Sequence, residues 1–111
     1  MEQVISPLTQ AHVDKFVNEV NATIAAFYKE HLPNLTHVPL EVQRRNKYIR
    51  LWHTNRVWGF IALYDGMIGK KPVKAGDLLK AASINTPAAG SRGNIIDNTA
   101  RYGVYGPVYL Y

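Results

Sequence analysis

The chain has 111 residues, no Cys, 47% hydrophobic and 19% charged residues, a composition that argues for one folded domain and against intrinsic disorder. The lack of cysteine excludes disulfides, thiolate metal sites and cysteine nucleophiles; no apolar run approaches the roughly 20 residues a membrane helix requires. The net charge of +5 is segregated: residues 1–43 hold two Lys against five acids, a balance of −3, and residues 44–111 hold eleven Lys and Arg against Asp65, Asp77 and Asp97, a balance of +8. The basic part also carries both Trp and six of the seven Tyr, a composition suited to phosphates and bases.

In chain order, Met1-Glu2-Gln3-Val4 lacks the basic-then-apolar pattern of a signal peptide, so no secretion is expected. Val13, Phe16, Val17, Val20, Ile24, Phe27 and Tyr28 then recur at spacings of three and four, the stripe of an amphipathic helix. The helix is expected from about Leu8 to about His31, capped by Ser6 with Pro7 in its first turn and stopped by Pro33. At 1.5 Å per residue it would be roughly 35 Å long, and that surplus length suggests that part of its apolar face meets another subunit.

Residues 32–46, with Pro33 and Pro39, read as a connector, and residues 47–111 as an antiparallel sheet. Lys47 to His53 and Arg56 to Tyr64 are aromatic and β-branched runs joined by Thr54-Asn55, which predicts a β-hairpin. If residue 53 pairs with 56 in an unbroken register, Ile49 and Leu51 share a face with Trp58, Phe60 and Ala62. The opposite face then carries Tyr48, Arg50 and Trp52 with Val57, Gly59, Ile61 and Leu63.

Beyond the hairpin, Asp65-Gly66 and Gly69-Lys70-Lys71-Pro72 are turn material. Residues 76–83 (Gly76-Asp77-Leu78-Leu79-Lys80-Ala81-Ala82-Ser83) fit helix or strand; the short spacing between turns favours a strand. A loop of small residues, 85–94, precedes Ile95-Ile96-Asp97 and the tail from Tyr102 to Tyr111, where short strands are expected.

Taken together, Gly76-Asp77-Leu78-Leu79-Lys80-Ala81-Ala82-Ser83, Pro87-Ala88, Arg92-Gly93-Asn94-Ile95-Ile96-Asp97 and Tyr105-Gly106-Pro107-Val108-Tyr109-Leu110 resemble segments of small uncharacterised proteins of tailed bacteriophages and marine viral samples. The resemblance covers the C-terminal third to half and brings no known activity with it. It implies a viral protein acting in the cytoplasm of an infected host cell. The layout of one N-terminal helix before a short-stranded meander is also similar in architecture to Sm-like small barrels, without their sequence motifs.

The strongest functional candidate is the basic and aromatic stretch Arg44, Arg45, Lys47, Tyr48, Arg50, Trp52, Arg56 and Trp58, with Arg44, Arg45, Tyr48, Arg50, Trp52 and Arg56 as its expected binding residues, since aromatic faces stack on bases while Arg and Lys hold the backbone. The competing reading places Tyr48 and Trp52 in a core or subunit interface, with the Arg side chains covering the sheet edge. A second candidate is Gly90-Ser91-Arg92-Gly93, where Arg92 would grip a phosphate; as an ordinary turn, it would instead pair Arg92 with an acid such as Asp97. The four His sit at no metal spacing and no acid–base pair stands out, so neither metal, cofactor nor catalysis is expected.

These readings converge on an α+β domain spanning 1–111: a long N-terminal helix, over 1–31, packed on a strongly twisted antiparallel sheet that is a candidate for closure into a small barrel. The expected function is non-enzymatic binding of single-stranded nucleic acid by a viral accessory protein. The alternative is a homo-oligomeric structural or assembly protein with no nucleic-acid ligand. A homo-oligomer is expected in either case, and a membrane partner in neither.

Overall fold

In the computed structural model, which describes residues 8–108, Thr9 opens the helix. Its hydroxyl accepts from the His12 backbone N–H at 3.3 Å, and the His12 ring nitrogen Nδ1 accepts from the Thr9 N–H at 3.1 Å. This is a capping box with His in place of the usual Glu or Gln. The expected cap at Ser6 and first-turn Pro7 lie outside the described residues. Helix α1 runs Gln10–His31 and ends where the Leu32 N–H bonds to the Tyr28 carbonyl, just before Pro33. Val13, Phe16, Val17, Val20 and Ile24 are buried, so the predicted stripe faces the core.

The connector of residues 32–46 is not structureless. Leu40 is buried and its N–H bonds Asn21 Oδ1 on α1 at 2.9 Å, which anchors the chain as it enters strand β1, Glu41–Arg44. The strands β2, Tyr48–His53, and β3, Arg56–Ala62, follow. After them come a small hairpin of β4, Gly66–Ile68, and β5, Lys71–Val73, and then the two-residue β6, Leu78–Leu79. A last pair, β7, Tyr102–Gly103, and β8, Gly106–Pro107, closes the described chain. The main sheet has the order β1-β2-β3-β6 with antiparallel pairing throughout. The architecture is thus α+β, and none of the described sheets closes into a barrel.

The hairpin turn stands at Thr54-Asn55 with His53 opposite Arg56, and Thr54 takes the positive φ of 56°. The register beyond it departs from the unbroken expectation. Trp52 faces Val57, but Leu51 faces Gly59, so Trp58 is the extra residue of a β-bulge. Every pairing past that point slips by one and the faces exchange. Ile61 and Leu63, expected on the face of Tyr48, Arg50 and Trp52, join Ile49, Leu51 and Trp58 in the helix-facing core. Phe60 and Ala62, expected on one face with Ile49, Leu51 and Trp58, pack on the far side with Val73 and Leu79, against the half-buried Tyr48 and Val57.

The cause is visible at Gly59. A Cβ there would lie 2.9 Å from the Pro107 ring and 3.2 Å from the Leu79 carbonyl, so β3 must pass beneath the C-terminal strand pair with no side chain at that point. The bulge then lets Trp58 keep its place under α1, edge-on to Phe16 and Tyr102, with its indole N–H donating to the Val104 carbonyl at 3.1 Å.

Of the segment 76–83, expected as a strand, only Leu78–Leu79 pair as one; Asp77 and Ala81 make isolated bridges, Gly76 lies in a turn with a φ of 88° and Ala82-Ser83 in a bend bonded to the Thr86 carbonyl. Ile95-Ile96-Asp97 is a turn where a strand was expected. Ile95 is buried against the helix side, and Asp97 accepts from the Thr99 hydroxyl and N–H. Asn98 adopts a φ of 61° and accepts from Lys15 Nζ on α1. Side-chain bonds to backbone have replaced a ladder here.

Candidate nucleic-acid interface

The seven residues singled out from the sequence do not converge on one surface. Arg44 and Arg45 are exposed at the turn between β1 and β2. Arg56 is exposed at the other end of the hairpin, beyond roughly 15 Å of strand at 3.3 Å per residue. Tyr48 is half-buried and packs edge-on against Phe60 at a centroid distance of 6.1 Å.

Arg50 stands on the expected face but is not presented to a ligand. It is buried, and its guanidinium bonds Gln43 Oε1 at 2.6 Å, the Ile84 carbonyl at 3.0 Å and Asn85 Oδ1 at 3.1 Å. It therefore ties β1 and β2 to the loop after β6, and its charge lies over the Trp52 ring, 5.3 Å from the centroid. Arg92 is likewise removed from the surface at 7% exposure. Its Nε donates to the Val108 carbonyl, and one terminal nitrogen donates to the carbonyls of Ala89 and Gly90. Neither a phosphate grip nor an ion pair with Asp97 describes it: backbone dipoles, not a carboxylate, compensate its buried charge.

What remains open is a strip centred on Arg56. On one side lies a groove of about 300 Å³ between the hairpin tip and the loop after β6, walled by Trp52, Val57, Ala81 and Ile84. Trp52 is half-buried, and its indole N–H is fixed to the Thr54 carbonyl at 2.9 Å. On the other side lies a groove of about 490 Å³ beneath the β7–β8 turn, lined by Arg56, Lys80 and Tyr105 among others. Tyr105 is 68% exposed, with the Arg56 guanidinium 5.9 Å from its ring centroid and bonded to its carbonyl at 2.7 Å.

Lys80 extends the positive potential of this strip and donates to the Pro107 carbonyl at 3.1 Å. Burial, followed by the charges of Arg92 and Arg56, pulls its pKa below the usual lysine range. Lys80 and Tyr105 were missed from the sequence. The only signal for Tyr105 was its place before Gly106-Pro107 in turn-like surroundings. Nothing local could have placed Lys80 beside Arg56.

Among the described residues no cluster of His, Cys, Asp or Glu could hold a metal ion, and no helix is long and apolar enough to cross a membrane. No protein-family model, curated protein or solved structure matches the chain.

Proposed function

We propose that this protein binds single-stranded nucleic acid along the strip from Trp52 through Arg56 to Tyr105 and Lys80. One observation carries the reading: an exposed guanidinium stands between two aromatic surfaces and borders an open groove on either side. Aromatic faces accept any base, at roughly 1–3 kcal/mol each, while Arg and Lys neutralise phosphates. The +8 balance of residues 44–111 adds long-range attraction. The likeness of the C-terminal part to bacteriophage and marine viral proteins supports a viral accessory role.

Labelled single strands titrated across a salt series test this. Arg56→Ala is expected to weaken binding and flatten the plot of log affinity against log salt by about 0.7, one single-strand phosphate contact. Trp52→Ala is expected to cost about 1–3 kcal/mol of binding with the slope retained, because stacking releases no counterions. Absence of binding by the unaltered protein at about 50 mM salt, where such contacts are strongest, would end the proposal.

A further inference from the structure

Among the described residues the outer edge of the main sheet is formed by β1, whose only strand partner there is β2. Its hydrogen-bonding directions can be followed residue by residue. The Arg45 N–H bonds the Tyr48 carbonyl, so residue 45 points inward to the hairpin; the Leu40 N–H bonds Asn21 of the helix, so residue 40 points away from β2. Alternation along the strand then turns the N–H and C=O of Val42 and Arg44 outward. Helix α1 satisfies the edge at Leu40 and leaves it open beyond, where Val42 is 42% exposed and Arg44 is exposed.

We propose that two copies of this chain pair through β1, antiparallel about a two-fold axis, joining their sheets into one. Such an interface is self-complementary, and outward residues must face outward residues. With the axis on Gln43, Val42 lies opposite Arg44 of the second copy, and Glu41 lies opposite its Arg45. Symmetry makes the Glu41–Arg45 pair twice. With the axis on Val42, Glu41 would face Gln43 and both Arg45 side chains would be left without a partner across the seam. Charge complementarity therefore selects the first register. Charged residues on an edge commonly ward off pairing. Here the charges are opposite in sign at the two ends of a four-residue strand and its continuation, so the two-fold register centred on Gln43 pairs them and the shift to Val42 forfeits both pairs.

Sedimentation velocity of the full chain over a wide concentration range provides the test, with a dimer expected to form as concentration rises. Val42→Pro removes an outward N–H that β2 does not use, a placement proline tolerates on an edge strand; it should leave the circular dichroism melt in place and weaken association at least tenfold. Glu41→Arg sets like charges opposite one another twice and should weaken the dimer by roughly tenfold. The double change Glu41→Arg with Arg45→Glu should restore it, and this charge pair decides the matter should Val42→Pro fail to fold. A wild-type monomer at about 1 mM, an unweakened dimer in folded Val42→Pro, or failure of the double change to recover association would each overturn the interface. None of these readouts involves nucleic acid.

Discussion

On the helix side of β2 and β3, Ile49, Leu51, Trp58 and Ile61 meet the apolar stripe of α1. On the other side, the tip of the same two strands carries Arg50 beneath Trp52, braced by Gln43, Ile84 and Asn85. Both faces contain a tryptophan six residues from the other, yet Trp58 is 2% exposed and Trp52 lines an open groove. Apolar packing holds the first side, where each ring is covered by other side chains. The second side has an apolar cluster of its own in Phe60, Ala62, Val73 and Leu79, but beside it directional bonds hold Arg50 and Trp52 and leave an aromatic surface uncovered. That difference separates a ring that keeps the molecule folded from one that stays at its surface.

The sharpest way to break the comparison is to truncate both rings. Trp58→Ala is expected to cost about 3–5 kcal/mol in denaturant melts, as a large-to-small change in a filled core. Trp52→Ala should cost less than about 1 kcal/mol of stability. Equal losses would mean that the second face is as much a core as the first.

Next in size is Arg92→Ala, which leaves the Val108, Ala89 and Gly90 carbonyls without their cationic donor. A loss of about 2–3 kcal/mol is expected in the same melts, the cost of stranding buried acceptors. A neutral outcome would show that water replaces the guanidinium and that the Arg92 site is open after all.

Gly59→Ala probes the bulge directly, because the added methyl meets the Pro107 ring at 2.9 Å. Overpacking of this kind costs about 1–3 kcal/mol. Since the strain falls between β3 and β8, amide exchange should accelerate first at Tyr102 to Gly106 and leave the α1 core protected.

The smallest expected effect depends on pH. His53 is buried with Nε2 3.0 Å from the Val38 carbonyl, beside His37 at a centroid distance of 6.4 Å. Burial lowers its pKa, and the neighbouring His37 and Arg56 lower it further against the opposing bond to Val38. The unfolded chain then binds a proton at His53 more readily than the folded one. Stability from this site is fully present above the ordinary histidine pKa of about 6.5 and is lost as pH falls from there toward the folded value. Thermal melts between pH 7.5 and 5 should show a falling midpoint, and His53→Asn should flatten that fall.

The helix and the hairpin turn could be read from the sequence because their signals are local. The stripe from Val13 to Ile24 recurs at helical spacing, and the 54–55 turn interrupts two runs of strand-forming residues. The β1 strand was missed because Glu41-Val42-Gln43-Arg44 is short and polar; it is a strand through its pairing with β2. The 76–97 region had a recognisable composition but an unreadable purpose. Asp77 accepts from the Lys74 N–H and from Asn94 Nδ2, and a Cβ on Gly93 would collide with the Thr99 carbonyl. Gly76, Asp77, Gly93 and Asn94 thus build the loop framework and do not form an exposed phosphate-binding turn.

Of the candidate interface, the sequence indicated Trp52 and Arg56 and the basic, aromatic character of the region, because charge and ring content are properties of composition. Only the tertiary structure decided which cations reach solvent. Arg50, Arg56 and Arg92 carry the same group, and what separates them is how many acceptors close around it: Arg56 donates to the Tyr105 carbonyl and stays exposed, whereas Arg50 is enclosed by Gln43, Ile84 and Asn85 and Arg92 by Val108, Ala89 and Gly90. The face assignment of the hairpin was decided in the same way. Alternation along β3 is a local rule, but the single residue that breaks it, Trp58, is placed by the crossing of Gly59 under Pro107, nearly fifty positions along the chain. Short-range periodicity determines that α1 and the β2–β3 hairpin form; contacts between remote residues determine which of their side chains are buried and which stay exposed.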